Sequence, residues 1–318
     1  MIYDNIDFFN CSEIKSDGTL LRFTEELILG LGYKEHQRGR FYGYRSIGVE
    51  LRFKTKSKFF DLSLEAYKEN CKVYVFYGDY MDKAYTLEHG KVTTLHIEVP
   101  EKIVSNKDRL PRGGFSNELI RIVIGYPGYV KYKGINFFNN DVFLPEKSDI
   151  PSKSLVIYGS SISHGSESLE YINSYPFILS RLLNINVYNK AIPGSCLAEK
   201  QMIDYVRDIK ADIYFVEFGI NALRLYSKEE YISYLNYIVE NINNLKFTSV
   251  FMCGAMLEED IAKTRFNEFR EYAKNIDGFI DPDILLNRFE ALTTDLLHPS
   301  DFGQMLIALN LSRFLQEL

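Results

Sequence analysis

Four short stretches in the second half of the chain combine the residue types that acyl-transfer chemistry needs. They are Gly159-Ser160-Ser161-Ile162-Ser163, Asn189-Lys190-Ala191-Ile192-Pro193-Gly194, Gly219-Ile220-Asn221 and Asp295-Leu296-Leu297-His298. A serine on a tight turn after a strand presents its Oγ as a nucleophile. A loop glycine lets its backbone N–H approach a substrate oxygen closely, and an asparagine amide adds another donor for that oxygen. A carboxylate three residues before a histidine can accept from Nδ1–H, which leaves Nε2 as a general base. Taken singly, each stretch is also an ordinary feature: a capping serine, a loop glycine, a turn asparagine, a solvated histidine. Their order, and the elements that carry them, give the set its weight.

Those elements read as alternating strands and helices. The run LVIY (155–158) is followed by a helical stretch over 174–183, INVYN (185–189) and a helix ending near 209. Then come DIYFVEF (212–218), a helix over 228–243, SVFMCG (249–254), a helix over 258–274, GFIDP (278–282) and an amphipathic helix over 300–316, with Ser300 as its N-cap. This is the grammar of a parallel sheet with helices on both faces. In such a sheet, ligands bind beyond the carboxyl ends of the strands. The first three stretches follow predicted strands, and the fourth precedes the last helix.

The first part of the chain has a different period. Val49-Leu51-Phe53, Phe60-Leu62-Leu64-Ala66 and Cys71-Val73-Val75 alternate with polar residues, as strands with one buried face do. Further runs at 92–99, 118–126 and 129–138 are separated by turn-rich pieces, which predicts an antiparallel β-sandwich or jelly roll. The polar, proline-containing stretch 139–153 reads as a linker. Two domains are therefore expected, a β-sandwich over 1–145 and an α/β/α domain over 153–318.

Composition removes several function classes. With 318 residues, 37 Lys+Arg against 43 Asp+Glu and a net charge of −6, the chain has no basic block, so nucleic acid is not an expected partner. Cys11, Cys71, Cys196 and Cys253 are scattered without ligand spacing, which predicts reduced thiols and neither a zinc site nor a disulfide framework. No P-loop ending and no GxGxxG follows a strand, so no metal and no organic cofactor is expected. The acidic start MIYDNIDFFN and the absence of a long apolar run predict a cytoplasmic protein with no membrane partner. The aromatic-rich, two-domain composition is compatible with a homo-oligomer, and no residue-level argument gives its symmetry.

At this point the chain resembles the SGNH (GDSL-type) hydrolases over about 153–318. Their serine, glycine, asparagine and histidine blocks match Gly159-Ser160-Ser161, Gly194, Gly219-Ile220-Asn221 and Asp295-Leu296-Leu297-His298. The resemblance implies a flavodoxin-like three-layer α/β/α fold and a catalytic triad of Ser161, His298 and Asp295. It also implies an oxyanion hole formed by the Ser161 and Gly194 N–H groups and the Asn221 amide. Two positions depart from the family pattern: Ser160 stands where the name-giving aspartate usually sits, and Ala222 where many members have aspartate. The β-rich first half is similar in architecture to the accessory domain of two-domain esterases that act on acylated carbohydrates.

The function implied is a serine esterase removing short acyl groups, acetyl foremost, from a carbohydrate or a small hydroxylated metabolite. The alternatives are an acyltransferase with the same triad and a carbohydrate-binding protein. Secondary candidates read as structural. His164 is expected on the surface of the first helical turn, Glu258-Glu259-Asp260 as a solvated helix start, and Arg109 and Arg112 as part of a surface loop. Most of the 23 tyrosines and 23 phenylalanines are expected in cores and interfaces.

Overall fold

The computed structural model describes residues 1–138 and 142–316. The chain forms two compact units: Met1–Glu25 with Gly43–Ser152, and Glu26–Tyr42 with Lys153–Leu318. The sequence reading assigns residues 26–42 to the N-terminal β domain, whereas their contacts place them in the α/β unit.

The N-terminal unit is built from strands β1 (Ile2–Tyr3), β2 (Ile6–Phe9), β3 (Glu13–Ile14), β4 (Leu20–Leu21), β5 (Glu50–Thr55), β6 (Phe59–Ala66), β7 (Cys71–Tyr77), β8 (Tyr80–Leu87), β9 (Val92–Glu98), β10 (Ile120–Ile124), β11 (Val130–Asn136) and β12 (Val142–Phe143). Short helices interrupt the series in sequence: α1 (Glu25–Gly30) and α2 (Arg38–Tyr42), which pack in the α/β unit, and α3 (Glu101–Asn106). One antiparallel sheet has the order β1-β2-β5-β10-β7-β8, with β12 also on β5; a second has the order β11-β6-β9, and β3 and β4 form a two-stranded antiparallel pair. Their inward residues form one core. Leu51, Phe53, Val73, Val75 and Ile122 come from the first sheet, and Phe60, Leu62, Leu64, Leu95 and Ile97 from the second. Strict alternation of buried and partly exposed positions along β6 shows the period that the sequence predicts.

The expected linker is not free chain. Residues 139–141 lie outside the described residues, but Val142 pairs with Thr55 and Phe143 with Lys54. Asp149 is anchored to Lys54 at 2.7 Å. Polar composition suggested a linker, but these groups find partners on β5.

The outward face of β5 and β10 carries buried charge. Glu50 accepts from Arg52 Nε at 2.8 Å and from Arg121 Nε at 2.9 Å and Nη2 at 2.8 Å. The Arg52 and Arg121 guanidinium groups lie 3.6 Å from the ring centres of Phe9 and Phe115, respectively. Burial alone would raise the Glu50 pKa, but Arg121 and Arg52 outweigh it and hold the carboxyl down at about 2.

The α/β unit follows the expected alternation. Its strands are β13 (Ser154–Tyr158), β14 (Asn186–Asn189), β15 (Ile213–Glu217) and β16 (Leu245–Thr248), all parallel, in the order β14-β13-β15-β16. The helices are α4 (Ser161–His164), α5 (Tyr175–Leu182), α6 (Lys200–Asp208), α7 (Lys228–Asn241), α8 (Asp260–Ala273), α9 (Pro282–Leu285) and α10 (Asp301–Leu315). Helices α5 and α10 pack together, while α6, α7 and α8 form a second set, consistent with helices on both faces of the sheet. Burial along all of β15 explains the near-continuous apolar run in its sequence.

One strand differs from its expected place. The apolar run 249–254 is largely buried but contains no strand residue, and a 3₁₀ turn covers Met252–Met256. The strand is Leu245–Thr248, where pairing with Tyr214–Glu217 overrides the weaker local apolar signal. The 278–282 stretch contributes a single parallel bridge, Phe247 to Phe279. Ser300 caps α10 as expected, accepting from Gly303 N.

Glu50→Gln removes one charge from a buried, fully paired cluster and is expected to destabilise the protein by about 3–5 kcal/mol in urea unfolding. Because the folded-state pKa of Glu50 lies below its ordinary 4.5, its stabilisation is present above pH 4.5 and disappears as pH falls through about 2. The variant is expected to lose that acid-dependent component of the wild-type stability curve.

Candidate active site

Strand β13 ends at Tyr158, and the chain turns through Gly159 and Ser160 into α4, whose first residue is Ser161. Ser160 is the N-cap: its Oγ accepts from Ile162 N at 3.1 Å. This turn is tied down from below by Glu217, the last residue of β15. Glu217 Oε2 accepts from Ser160 N at 2.7 Å, Ser160 Oγ at 2.6 Å and Ser163 Oγ at 3.0 Å. Tyr175 OH donates to Ser163 Oγ at 2.6 Å, extending the network to α5. A Cβ on Gly159 would stand 2.2 Å from Ser163 Oγ and 2.9 Å from Glu217 Oε2, so glycine is required there by close approach.

His298 reaches Ser161 from the loop before α10. Its Nε2 is 2.8 Å from Ser161 Oγ, and its Nδ1 is 2.6 Å from Asp295 Oδ2. An ionised carboxylate only accepts, so Nδ1 carries the proton and the neutral ring presents Nε2 to the serine hydroxyl. The Asp295 loop is self-braced. Oδ1 accepts from Thr293 Oγ1 at 2.7 Å and from the N–H groups of Leu297 and His298 at 2.9 Å each. Although partial burial acts to raise the Asp295 pKa, the hydrogen bonds from His298, Thr293 and the backbone hold it well below the ordinary carboxylate range. Asp295 therefore remains an anion throughout the neutral range.

Two of the three candidate oxyanion donors are backbone groups without an acceptor among the described residues, the N–H of Ser161 and that of Gly194. Gly194 has φ +65°, a left-handed conformation suited to glycine. The Asn221 side chain is oriented by its own oxygen: Oδ1 accepts from Cys196 N at 2.9 Å, which leaves the Nδ2 donors for another acceptor. Thus Ser161, His298 and Asp295 form one hydrogen-bonded line, while Asn221 is tied to the loop two residues beyond Gly194. Backbone donors held before any substrate arrives can stabilise developing negative charge without reorganising.

The structure corrects one secondary expectation. His164 is buried in α4, not exposed on it, and its Nδ1 lies 3.2 Å from Ser166 Oγ. A one-turn helix ending at Gly165, φ +84°, leaves little outer face for that ring. Glu258, Glu259 and Asp260 are exposed around the start of α8, with Glu259 paired to Arg224 at 2.9 Å. Arg109 and Arg112 are exposed in the N-terminal unit. All four cysteines are buried, and none is in a disulfide among the described residues.

Sequence reasoning missed Glu217 and His36. The signal for Glu217 was its charge at the end of an otherwise apolar buried strand. His36 donates from Nε2 to Gly194 O at 2.7 Å, a pairing 158 residues apart in sequence for which no local pattern exists.

Residues 152–265 match the model of the GDSL-like lipase/acylhydrolase family. That match to the GDSL-like lipase/acylhydrolase (SGNH) family is carried by the first part of the α/β unit, and the N-terminal β unit precedes it in sequence. Among solved structures, a salicylyl-acyltransferase from a tetracycline biosynthetic pathway is similar with a TM-score of 0.76 at 14% identity, covering 99% of this chain and 95% of its own. A family two carbohydrate esterase from Clostridium thermocellum, solved with cellohexaose, has a TM-score of 0.58 at 12% identity over 86% and 93% of the two chains. An acetyl xylan esterase from the rumen bacterium Butyrivibrio proteoclasticus has a TM-score of 0.57 at 13% identity over 100% and 96%. At these identities the likeness is one of two-domain fold. No curated protein matches the chain. No helix among the described residues is long and apolar enough to cross a membrane.

Burial is the main cause that pushes the Glu217 pKa up, to about 7, against the lowering effect of its serine donors. The folded state therefore holds more protons on this group than the unfolded state between about pH 4.5 and 7, so its contribution to stability falls as pH rises through that window. Glu217→Gln is expected to remove this slope from thermal unfolding measured across pH 4.5–8. Glu217→Ala, which leaves buried donors unpaired, is expected to cost about 3 kcal/mol.

Proposed function

We propose that the chain is a serine esterase that removes short acyl groups, acetyl foremost, from a carbohydrate or another small hydroxylated compound. The observation that carries this reading is the continuous hydrogen-bonded line from Asp295 through His298 to Ser161 Oγ, beside unpaired N–H groups. In the first half-reaction Ser161 Oγ attacks the ester carbonyl as its proton passes to His298 Nε2. Negative charge on the carbonyl oxygen is met by the N–H groups of Ser161 and Gly194 and the Asn221 amide. As the tetrahedral intermediate collapses, the imidazolium gives its proton to the departing alcohol, leaving an acyl-enzyme on Ser161. His298 then takes a proton from water as its oxygen attacks the acyl carbon, and the second tetrahedral intermediate collapses by breaking the bond to Ser161 Oγ, which takes the proton back from His298 as the acid leaves. Asp295, ionised throughout, stabilises the imidazolium formed in both halves.

The acetyl and carbohydrate parts of the proposal draw on the likeness to family two carbohydrate esterases and to the acetyl xylan esterase. A second reading is acyl transfer, with another alcohol replacing water as acceptor. It is favoured by the full-length likeness to the salicylyl-acyltransferase. The same residues serve either outcome, because the acyl-enzyme is common to both.

Hydrolysis of 4-nitrophenyl esters of graded chain length tests the proposal directly. Activity highest on acetate is expected, with the covalent route lost in Ser161→Ala and turnover reduced by about 10²–10³ in Asn221→Ala. Full activity in Ser161→Ala would remove Ser161 from the mechanism. A product that forms only when a hydroxylated acceptor is added would assign the transferase reading instead.

A further inference from the structure

Three residues of the Glu26–Tyr42 segment meet the loop that carries Gly194, all within the α/β unit. His36 Nε2–H donates to the Gly194 carbonyl at 2.7 Å. Gly39 lies against the next residue, since a Cβ there would stand 2.7 Å from Ser195 Oγ. Between them, Arg38 lies across Gly194 itself: a Cβ on Gly194 would be 2.9 Å from Arg38 Cδ and 3.1 Å from its Nη1. The segment is anchored farther back by Gly32 N, which donates to Glu199 Oε1 at 2.9 Å, and by Tyr33 OH, which donates to Glu230 Oε1. Arg38 is thus held beside a proposed oxyanion donor from both sides in sequence.

What distinguishes Arg38 is its lack of a partner. Its side chain is exposed and makes no hydrogen bond, ion pair or ring contact among the described residues. Nearby Arg40, by contrast, donates to Leu31 O at 2.9 Å. A guanidinium keeps its charge at every working pH and offers a planar fork of donors matched to a carboxylate. No protein carboxylate has to be displaced before such a group can bind Arg38.

We propose that Arg38 is a specificity-determining residue that binds a carboxylate carried by the ester substrate near its scissile carbonyl. The inference rests on the esterase reading of Ser161, His298 and Asp295. It narrows the substrate class from acylated hydroxyl compounds in general to those that also carry a negative charge, such as an acylated sugar acid or a hydroxy acid. Arg38 sits on the Gly194 side of the site, so the carboxylate is placed near the carbonyl oxygen. Its attachment through the acyl group or through the alcohol is separated by the choice of ester.

The test compares kcat/KM of the full chain on two matched pairs. The acyl-side pair is 4-nitrophenyl butyrate and 4-nitrophenyl hemisuccinate, and the alcohol-side pair is phenyl acetate and 3-acetoxybenzoate. Wild type is expected to favour the anionic member of at least one pair. Arg38→Gln is expected to lower that anionic-to-neutral ratio by about ten- to a hundredfold, chiefly through KM. Arg38→Lys should retain part of the preference, and added salt should reduce the wild-type ratio. No anionic preference in wild type, an unchanged ratio in Arg38→Gln, or an equal fall on both members of a pair would overturn the assignment. Wild type inactive on all four esters and indistinguishable from Ser161→Ala would instead sink the esterase reading, and this inference with it.

Discussion

The α/β unit is organised around a single oxygen atom that water does not reach. Glu217 Oε2 accepts three hydrogen bonds from the turn that follows β13, two from Ser160 and one from Ser163. Because β15 pairs with β13 directly, the end of one strand is held against the turn leaving the other. That fixes the backbone of Ser160 and hence the direction in which Ser161 leaves it. Only with Ser161 in place does the imidazole of His298, oriented from a distant loop by Asp295, have a hydroxyl to meet. The chemistry proposed for the exposed side of the turn thus depends on a polar network buried beneath it.

The two units each bury a glutamate and resolve its charge in opposite ways. Glu50 lies between two guanidinium groups, and these overcome the desolvation of its carboxylate. Glu217 has only hydroxyl and amide donors, which do not, and burial wins. Its second oxygen, Oε1, has no hydrogen-bond partner among the described residues. A proton can therefore reside on Oε1 while Oε2 keeps all three donors, so the turn keeps its shape in either protonation state. The Glu50 cluster has no such latitude, since both of its oxygens are committed to arginines. Rigidity in the β unit and tolerance beneath the nucleophilic turn follow from the partners chosen.

How much of this was legible in the sequence depended on how local each cause is. Asp295 and His298 are three residues apart, so the residues of their turn could be read together. Ser161 and Asn221 could be placed because each follows a strand whose apolar run was visible. The period-two runs likewise marked β5, β6 and β7, because burial on one face leaves a local imprint. Residues 26–42 left no such imprint: their membership in the α/β unit rests on partners such as Gly194, Glu199 and Glu230, more than 150 residues away. Strand β16 was displaced for a related reason, since Leu245–Thr248 is selected by its neighbour β15 and not by its own hydrophobicity.

The departure at Ser160 becomes intelligible beside Glu217. An aspartate at position 160 could cap Ile162 N through its carboxylate, as Ser160 does through its hydroxyl. It would, however, bring a second acid against Glu217 at a position where the present contact is 2.6 Å. Two buried carboxyl groups that close cannot both ionise, and one would have to take up a proton or leave the network. Serine avoids the conflict because a hydroxyl both donates and accepts: it gives its proton to Glu217 and receives the Ile162 N–H. The acidic group and the capping group, which a single aspartate could combine, are here divided between Glu217 and Ser160. Glutamate at 217 and serine at 160 are therefore one coupled choice, and the nucleophilic turn depends on both.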